Sequence, residues 1–177
     1  MKRVSSGVRS KAKNIVLLLL DVDGVLTDGR IIIDDRGVET KHFHVRDGQG
    51  VSLLLRSGIE VGIITSRSSR SVSRRAKELG IGLVRQGVRS KVAAYQEIKR
   101  RRALKDRQIA YMGDDIVDLG ILRQAGLAVS VADGWPGLRP SVDYVTAAQG
   151  GYGAVREVAE LLLKAQGKWA GAIARLG

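Results

Sequence analysis

Two aspartates one residue apart, Asp21 and Asp23, close an unbroken apolar run over residues 15–20. Carboxylates can attack phosphorus, pass a proton or hold a hard cation. Two of them so close repel each other unless a cation, a shared proton or a reacting phosphate stands between them. The D-x-D-G start superficially suggests a calcium loop. Position five would then be Val25, the glycine is misplaced, and a strand rather than a helix precedes. Simple turn capping is the bland alternative, and the desolvation of two unpartnered carboxylates at a buried strand end argues against it. Gly24 suits a tight turn whose backbone amides face an anion.

Three further stations carry chemistry. Gly113-Asp114-Asp115 and Asp118 follow another apolar run. Asp115 and Asp118 fit helix capping as well as function, whereas Asp114, nearest the strand end, is placed to join the first two acids around magnesium. Thr65-Ser66-Arg67 ends a third apolar run, and a hydroxyl before a helix N-terminus is a natural phosphate contact, although Thr and Ser cap many helices. Lys91 follows the turn Gln86-Gly87-Val88-Arg89-Ser90; taken alone it reads as a solvated lysine.

The elements that must position these residues are legible as a rhythm. Apolar strand-like runs occur at 15–20, 59–64, 81–84, 108–112, 127–131 and 142–145, with helical patterns near 49–57, 68–79, 90–103, 115–125 and 153–166. Strands alternating with helices predict an α/β fold: a Rossmann-like, mostly parallel sheet with helices on both faces. Right-handed crossovers would place every strand's carboxyl end on one rim. Residues 30–45, with β-prone stretches around Asp34-Asp35-Arg36-Gly37, predict a β-hairpin insertion. His42 and His44 alternate on one of its strands and suit packing better than catalysis, and Trp135-Pro136 shape a loop.

The 177 residues suit one domain over 15–167, preceded by a basic, disordered arm over 1–14 and followed by a C-terminal tail over 168–177. The absence of cysteine excludes disulfides and thiolate chemistry. The first apolar run is too short for a bilayer span, and the chain reads as a cytoplasmic protein without a membrane partner. The net charge is +12, and positions 67–107 hold fourteen Lys/Arg against three acids. Such a block could be a nucleic-acid footprint, a funnel for an anionic small molecule or a solvated helical face. Few aromatics accompany it, which disfavours nucleic acid.

Together the four stations resemble the haloacid dehalogenase-like (HAD) superfamily of phosphohydrolases, in the order D-x-D-G-x-x-x-D, Thr/Ser, Lys, G-D-D-x-x-D over about residues 15–131. The resemblance implies Asp21 as nucleophile and Asp23 as acid/base, with Thr65 and Lys91 holding the phosphoryl group. It implies Mg²⁺ held by Asp21, Asp114 and the backbone carbonyl of Asp23, with Asp115 and Asp118 in support. Only 25 residues lie between Thr65 and Lys91, and the hairpin and a helix occupy those between Asp23 and Ser66. This leaves no room for an inserted cap domain. Either the substrate is a macromolecule, or neighbouring subunits supply the lid.

Phe43-His44-Val45-Arg46-Asp47-Gly48-Gln49-Gly50, Gln86-Gly87 and Gly150-Gly151-Tyr152-Gly153 resemble the capless family of 3-deoxy-D-manno-octulosonate 8-phosphate phosphatases. That resemblance implies a homotetramer whose hairpins meet at the interface and an anionic sugar-phosphate substrate. Arg46, Asp47 and Gly48 would lie near the substrate, Arg67 would meet its carboxylate or phosphate, and the segment around 150–156 would contribute to closure. Ser66 stands where the family often has glycine, and Ser90 where it often has Asn or Asp, so another nonulosonate phosphate, or an acylneuraminate-type substrate, remains an alternative. A non-catalytic basic binding module is the rival from another class.

Overall fold

A computed structural model describes residues 4–174. Its centre is β1 (Leu17–Leu20), all four leucines of which are buried. Leu18 and Leu20 face one helical layer and Leu17 and Leu19 the other, so the run is apolar throughout because both strand faces are covered. Each such leucine contributes roughly 1.5–3 kcal/mol on burial.

Around β1 lie β2 (Ile32–Ile33), β3 (Glu39–Thr40), β4 (Glu60–Ile64), β5 (Leu83–Arg85), β6 (Ile109–Gly113), β7 (Leu127–Ser130) and β8 (Tyr144–Val145). Six of these strands form one sheet in the order β5-β4-β1-β6-β7-β8, parallel throughout. The chain winds outward from β1 through β4 and β5, then crosses to the other side at β6. That reversal is a topological switch point, where the carboxyl ends of β1, β4 and β6 adjoin and a ligand crevice opens. β2 and β3 pair antiparallel as the expected hairpin.

One layer contains α1 (Ser6–Ala12), α2 (Val45–Arg56), α3 (Arg70–Leu79), α6 (Ala154–Ala165) and α7 (Trp169–Ala174). The other contains α4 (Lys91–Arg101) and the short α5 (Leu119–Leu122). The Rossmann-like, parallel α/β architecture with a hairpin insertion therefore stands as expected. Among the described residues no helix is long and apolar enough to cross a membrane.

Three local expectations are corrected. The supposedly disordered basic arm contains α1: Ser5 caps it by accepting from the Val8 amide, and Val8 and Ala12, one turn apart, pack against the core. Gln166 secures its end by donating to the Ala12 and Ile15 carbonyls. A two-residue apolar contact is too short a period to recognise in sequence. Helix α2 begins at Val45 rather than near 49 because His44 acts as its cap, its Nδ1 accepting from the Arg46 amide. The pattern at 115–125 yields only a 3₁₀ turn, Ile116–Asp118, and α5, because the chain there bends to aim Asp118 inward.

The basic run at 99–102 takes its bland reading. Lys99, Arg100 and Arg101 fall in the last turn of α4, where the helix dipole favours cations. Arg101 pairs with Glu97, Arg102 with Glu60 and Lys99 with Asp106.

Candidate active site

The ends of β1 and β6 deliver the acids. Asp21 follows β1 directly and is 6% exposed, with Oδ1 accepting from the Val22 amide. Ser90 caps α4, accepting from the Ala93 amide, and this sets Lys91 in the helix's first turn with its side chain buried. The Lys91 ammonium donates to Asp21 Oδ2 at 2.6 Å and to Asp118 Oδ1 at 2.7 Å. Lys91 is thus no solvated surface lysine. Burial pulls its pKa down, but the two carboxylates outweigh burial and hold it above its ordinary value.

Asp118 is fully buried and fully engaged. Its Oδ1 accepts from Lys91 and the Tyr111 hydroxyl, its Oδ2 from the Asp114 and Asp115 amides. Gly113 leaves room for that carboxylate, since a Cβ there would lie 2.4 Å from Asp118 Cγ. With four donors on its oxygens, Asp118 has no lone pair free for a metal. It is a brace that ties Lys91 to the Asp114 loop.

Asp114 differs. Among the described residues its carboxylate accepts no hydrogen bond, and it lies against Gly24, where a Cβ would come within 2.0 Å of Oδ2. The left-handed φ of Gly24, 84°, excludes a side chain on separate grounds. Asp21, Asp114 and Asp118 each place a carboxylate oxygen within 4.8 Å of the others. Burial, then the neighbouring charges of Asp21 and Asp118, push Asp114 up to about 7. Burial likewise raises Asp21 to about 6, against the pull of Lys91. Three carboxylates share the single Lys91 ammonium here, and magnesium fits the remaining deficit: Asp21 and Asp114 offer hard oxygens on an open cleft, with places left for water and phosphate. The Asp23 carboxylate is not part of this trio.

Asp23 turns instead toward the hairpin. Lys41, just beyond β3, donates to Asp23 Oδ1 at 2.5 Å and pairs with Glu39 at 2.9 Å. Arg67 stands 3.9 Å from Asp23 and 3.4 Å from Glu39. Thr65, buried at the end of β4, accepts from the Arg67 amide. A cleft of about 290 Å³ is bounded by Asp21, Asp23, Thr65, Arg67, Lys91 and Asp114. Asp115 lies on its rim and caps the 116–118 turn through the Ile116 amide.

Within one protomer, Arg46, Asp47 and Gly48 do not line this cleft. The Asp47 carboxylate is 1% exposed and accepts from the Gly153 and Arg156 amides, capping α6 from α2. Such a cap contributes about 1 kcal/mol. Gly48 admits the Arg75 side chain, 2.2 Å from where its Cβ would be. Arg46 lines a separate groove of about 680 Å³ with Tyr152 and Arg156. The segment at 150–153 reaches the site indirectly. Gly151 donates to the Val25 carbonyl and Gly150 to Asp133, and a Cβ on Gly150 would overlap the Gly24 carbonyl at 1.7 Å.

Sequence reasoning missed Lys41, Glu39 and Tyr111. A lone lysine in a hairpin carries no local sign that tertiary pairing will bury it between two acids.

No protein-family model matches the chain. Among curated proteins it is 49% identical over 165 residues to the 3-deoxy-D-manno-octulosonate 8-phosphate phosphatase KdsC of Escherichia coli (strain B / BL21-DE3), covering 93% of this chain and 88% of that protein. The crystal structure of the 3-deoxy-D-manno-octulosonate 8-phosphate phosphatase from Moraxella catarrhalis, in complex with magnesium ion, phosphate ion and a KDO molecule, superposes with a TM-score of 0.93 at 46% identity, covering 96% of this chain and 98% of that one. A Legionella pneumophila structure assigned to the HAD superfamily, subfamily III A, gives a TM-score of 0.93 at 44% identity, with 95% and 92% covered.

Proposed function

The chain belongs to the KdsC family of 3-deoxy-D-manno-octulosonate 8-phosphate (Kdo-8-phosphate) phosphatases, and on that premise we propose that its cleft hydrolyses Kdo-8-phosphate to Kdo and phosphate with magnesium. The observation that carries this reading is the meeting of Asp21, Asp114 and Lys91 at the adjoining ends of β1 and β6 and the start of α4.

Asp21 attacks phosphorus as a carboxylate and forms an aspartyl phosphate while the bond from phosphorus to the sugar oxygen breaks. Asp23, protonated, gives its proton to that departing oxygen. It then takes a proton from the water that attacks the aspartyl phosphate, so free phosphate leaves and both acids return to their starting states. Thr65 and Lys91 hold phosphoryl oxygens, and Lys91 keeps Asp21 aimed. Asp21, Asp114 and the Asp23 backbone carbonyl would hold magnesium, which would neutralise charge on the transferring group. Arg67, half exposed at the mouth, is placed to meet the anionic end of the sugar acid.

A phosphate-release screen tests the reading. With millimolar Mg²⁺ the protein should hydrolyse Kdo-8-phosphate at least tenfold faster than glucose 6-phosphate or ribose 5-phosphate, on the order of 1–3 kcal/mol of discrimination per lost contact. Slow, equal turnover of all three would remove the substrate assignment and leave only the phosphatase.

The reading extends to assembly. Ile31, Ile33 and Val38 on the hairpin are each about half exposed, at 47%, 59% and 54%. A cluster of exposed β-branched side chains on a two-stranded ribbon suits burial against another copy. With the family resemblance, this supports our proposal of a homotetramer in which neighbours cover the capless cleft, acting in the cytoplasm. Light scattering should give four chains for the wild type and smaller species for Ile33→Asp. A stable wild-type monomer would overturn this part.

A further inference from the structure

Beside the cleft stands a four-charge cluster, two members of which, Lys41 and Glu39, have no part in the reaction scheme above. Lys41 has a side chain only 1% exposed, yet it carries a full ammonium between Asp23 and Glu39. Arg67 closes the cluster from the mouth of the cleft, touching both acids at longer range. A lysine buried this deeply is held only by its partners, because an unpaired buried charge is strongly disfavoured.

The geometry points to Lys41 as a positioning residue for Asp23: its ammonium, anchored on Glu39, holds the acid/base carboxylate at the angle from which it reaches the departing sugar oxygen. The proposal rests on the acid/base reading of Asp23. Two features make positioning the fitting role. First, Lys41 grips Asp23 Oδ1 at hydrogen-bond distance, while among the described residues Oδ2 meets only the Arg67 guanidinium at 3.9 Å, and Asp23 lines the cleft. Second, Glu39 neutralises the ammonium, so Asp23 is oriented by a charge-compensated pair rather than by an isolated cation. Glu39 belongs to β3 and Lys41 follows that strand directly, so the hairpin is the frame that sets where Asp23 points.

Leaving-group dependence separates this role from a structural one. An alcohol departing from a sugar phosphate needs the proton of Asp23, whereas p-nitrophenolate departs without it. Positioned acid catalysis contributes about 10²–10⁴-fold, so a misaimed carboxylate should lose a sizeable part. In the full-length protein, Lys41→Met should slow first-turnover cleavage of Kdo-8-phosphate by 10- to 100-fold with KM little changed. The first-turnover release of p-nitrophenol from p-nitrophenyl phosphate should stay within about threefold of wild type. Lys41→Gln, which keeps a donor near the same place, should shift in the same direction by less, and it serves if the methionine variant does not fold. Equal losses on both substrates, or no loss on either, would overturn the assignment. Asp23→Asn is measured alongside. If it discriminates between the substrates and the Lys41 variants do not, only the Lys41 role falls; if neither discriminates, the acid/base reading of Asp23 falls and takes the Lys41 role with it.

Discussion

Asp21→Asn abolishes phosphate release, lowering kcat by about 10⁴-fold or more, as removal of a covalent nucleophile does elsewhere. The amide is nearly the same size, and its oxygen can still accept from the Val22 amide as the carboxylate does. The fold should therefore persist, and circular dichroism and thermal melting should confirm it. What changes is chemical: a neutral amide does not attack phosphorus, and the Lys91 ammonium loses one of its two anionic partners. Asp118 still holds that ammonium, so stability should fall far less than activity. A radiolabelled phosphoenzyme should be trapped from wild type and absent from the variant. Turnover by Asp21→Asn within tenfold of wild type would refute the nucleophile.

The second large effect concerns the metal. Chelation should reduce turnover to background, and Asp114→Asn should lower it on the order of 10²–10³-fold at fixed Mg²⁺, since several kcal/mol of charge stabilisation depend on the ion. Stability should move the other way. Asp21 and Asp114, ordinarily near 3.8, stand at about 6 and about 7 in the folded metal-free protein. The folded state thus binds protons more tightly than the unfolded chain. The resulting contribution is fully present below about pH 3.8 and is lost as pH rises through 6 and then 7. Metal-free wild type should therefore lose thermal stability between pH 5 and pH 8, and Asp114→Asn should lose less. Magnesium competes with those protons, so the rise in Tm that it causes should grow over the same range. Full turnover in the presence of chelator, or a Mg²⁺ effect on Tm independent of pH, would contradict the Asp21–Asp114 site.

How far the chain announced itself follows from where each signal resides. The run at 15–20 marked the central strand, because a strand covered on both faces must be apolar at every position. Asp21, Thr65 and Asp114 were legible because each stands just beyond a strand, a place that chain order marks, whereas Lys91 alone read as a solvated lysine and took its role only from the family resemblance. Gly24 and Gly113 were legible with them; the structure adds that Gly24 leaves space for the distant Asp114 carboxylate and Gly113 for that of Asp118 in the turn that follows it.

Only the tertiary structure decided how those residues divide the work. Asp118 read equally as a helix cap and as support for the site, and four donors converging on it from β6, α4 and its own turn make it the brace of the site. Asp47 carries no local sign that its carboxylate caps α6, over one hundred positions away along the chain. Lys41 read as nothing, because its burial between Glu39 and Asp23 exists only once the hairpin folds over the end of β1. Local sequence determines strand ends, turns and caps, since these depend on a few adjacent residues. The state of a charge depends on every group that surrounds it in space, and for this protein that was settled by the fold.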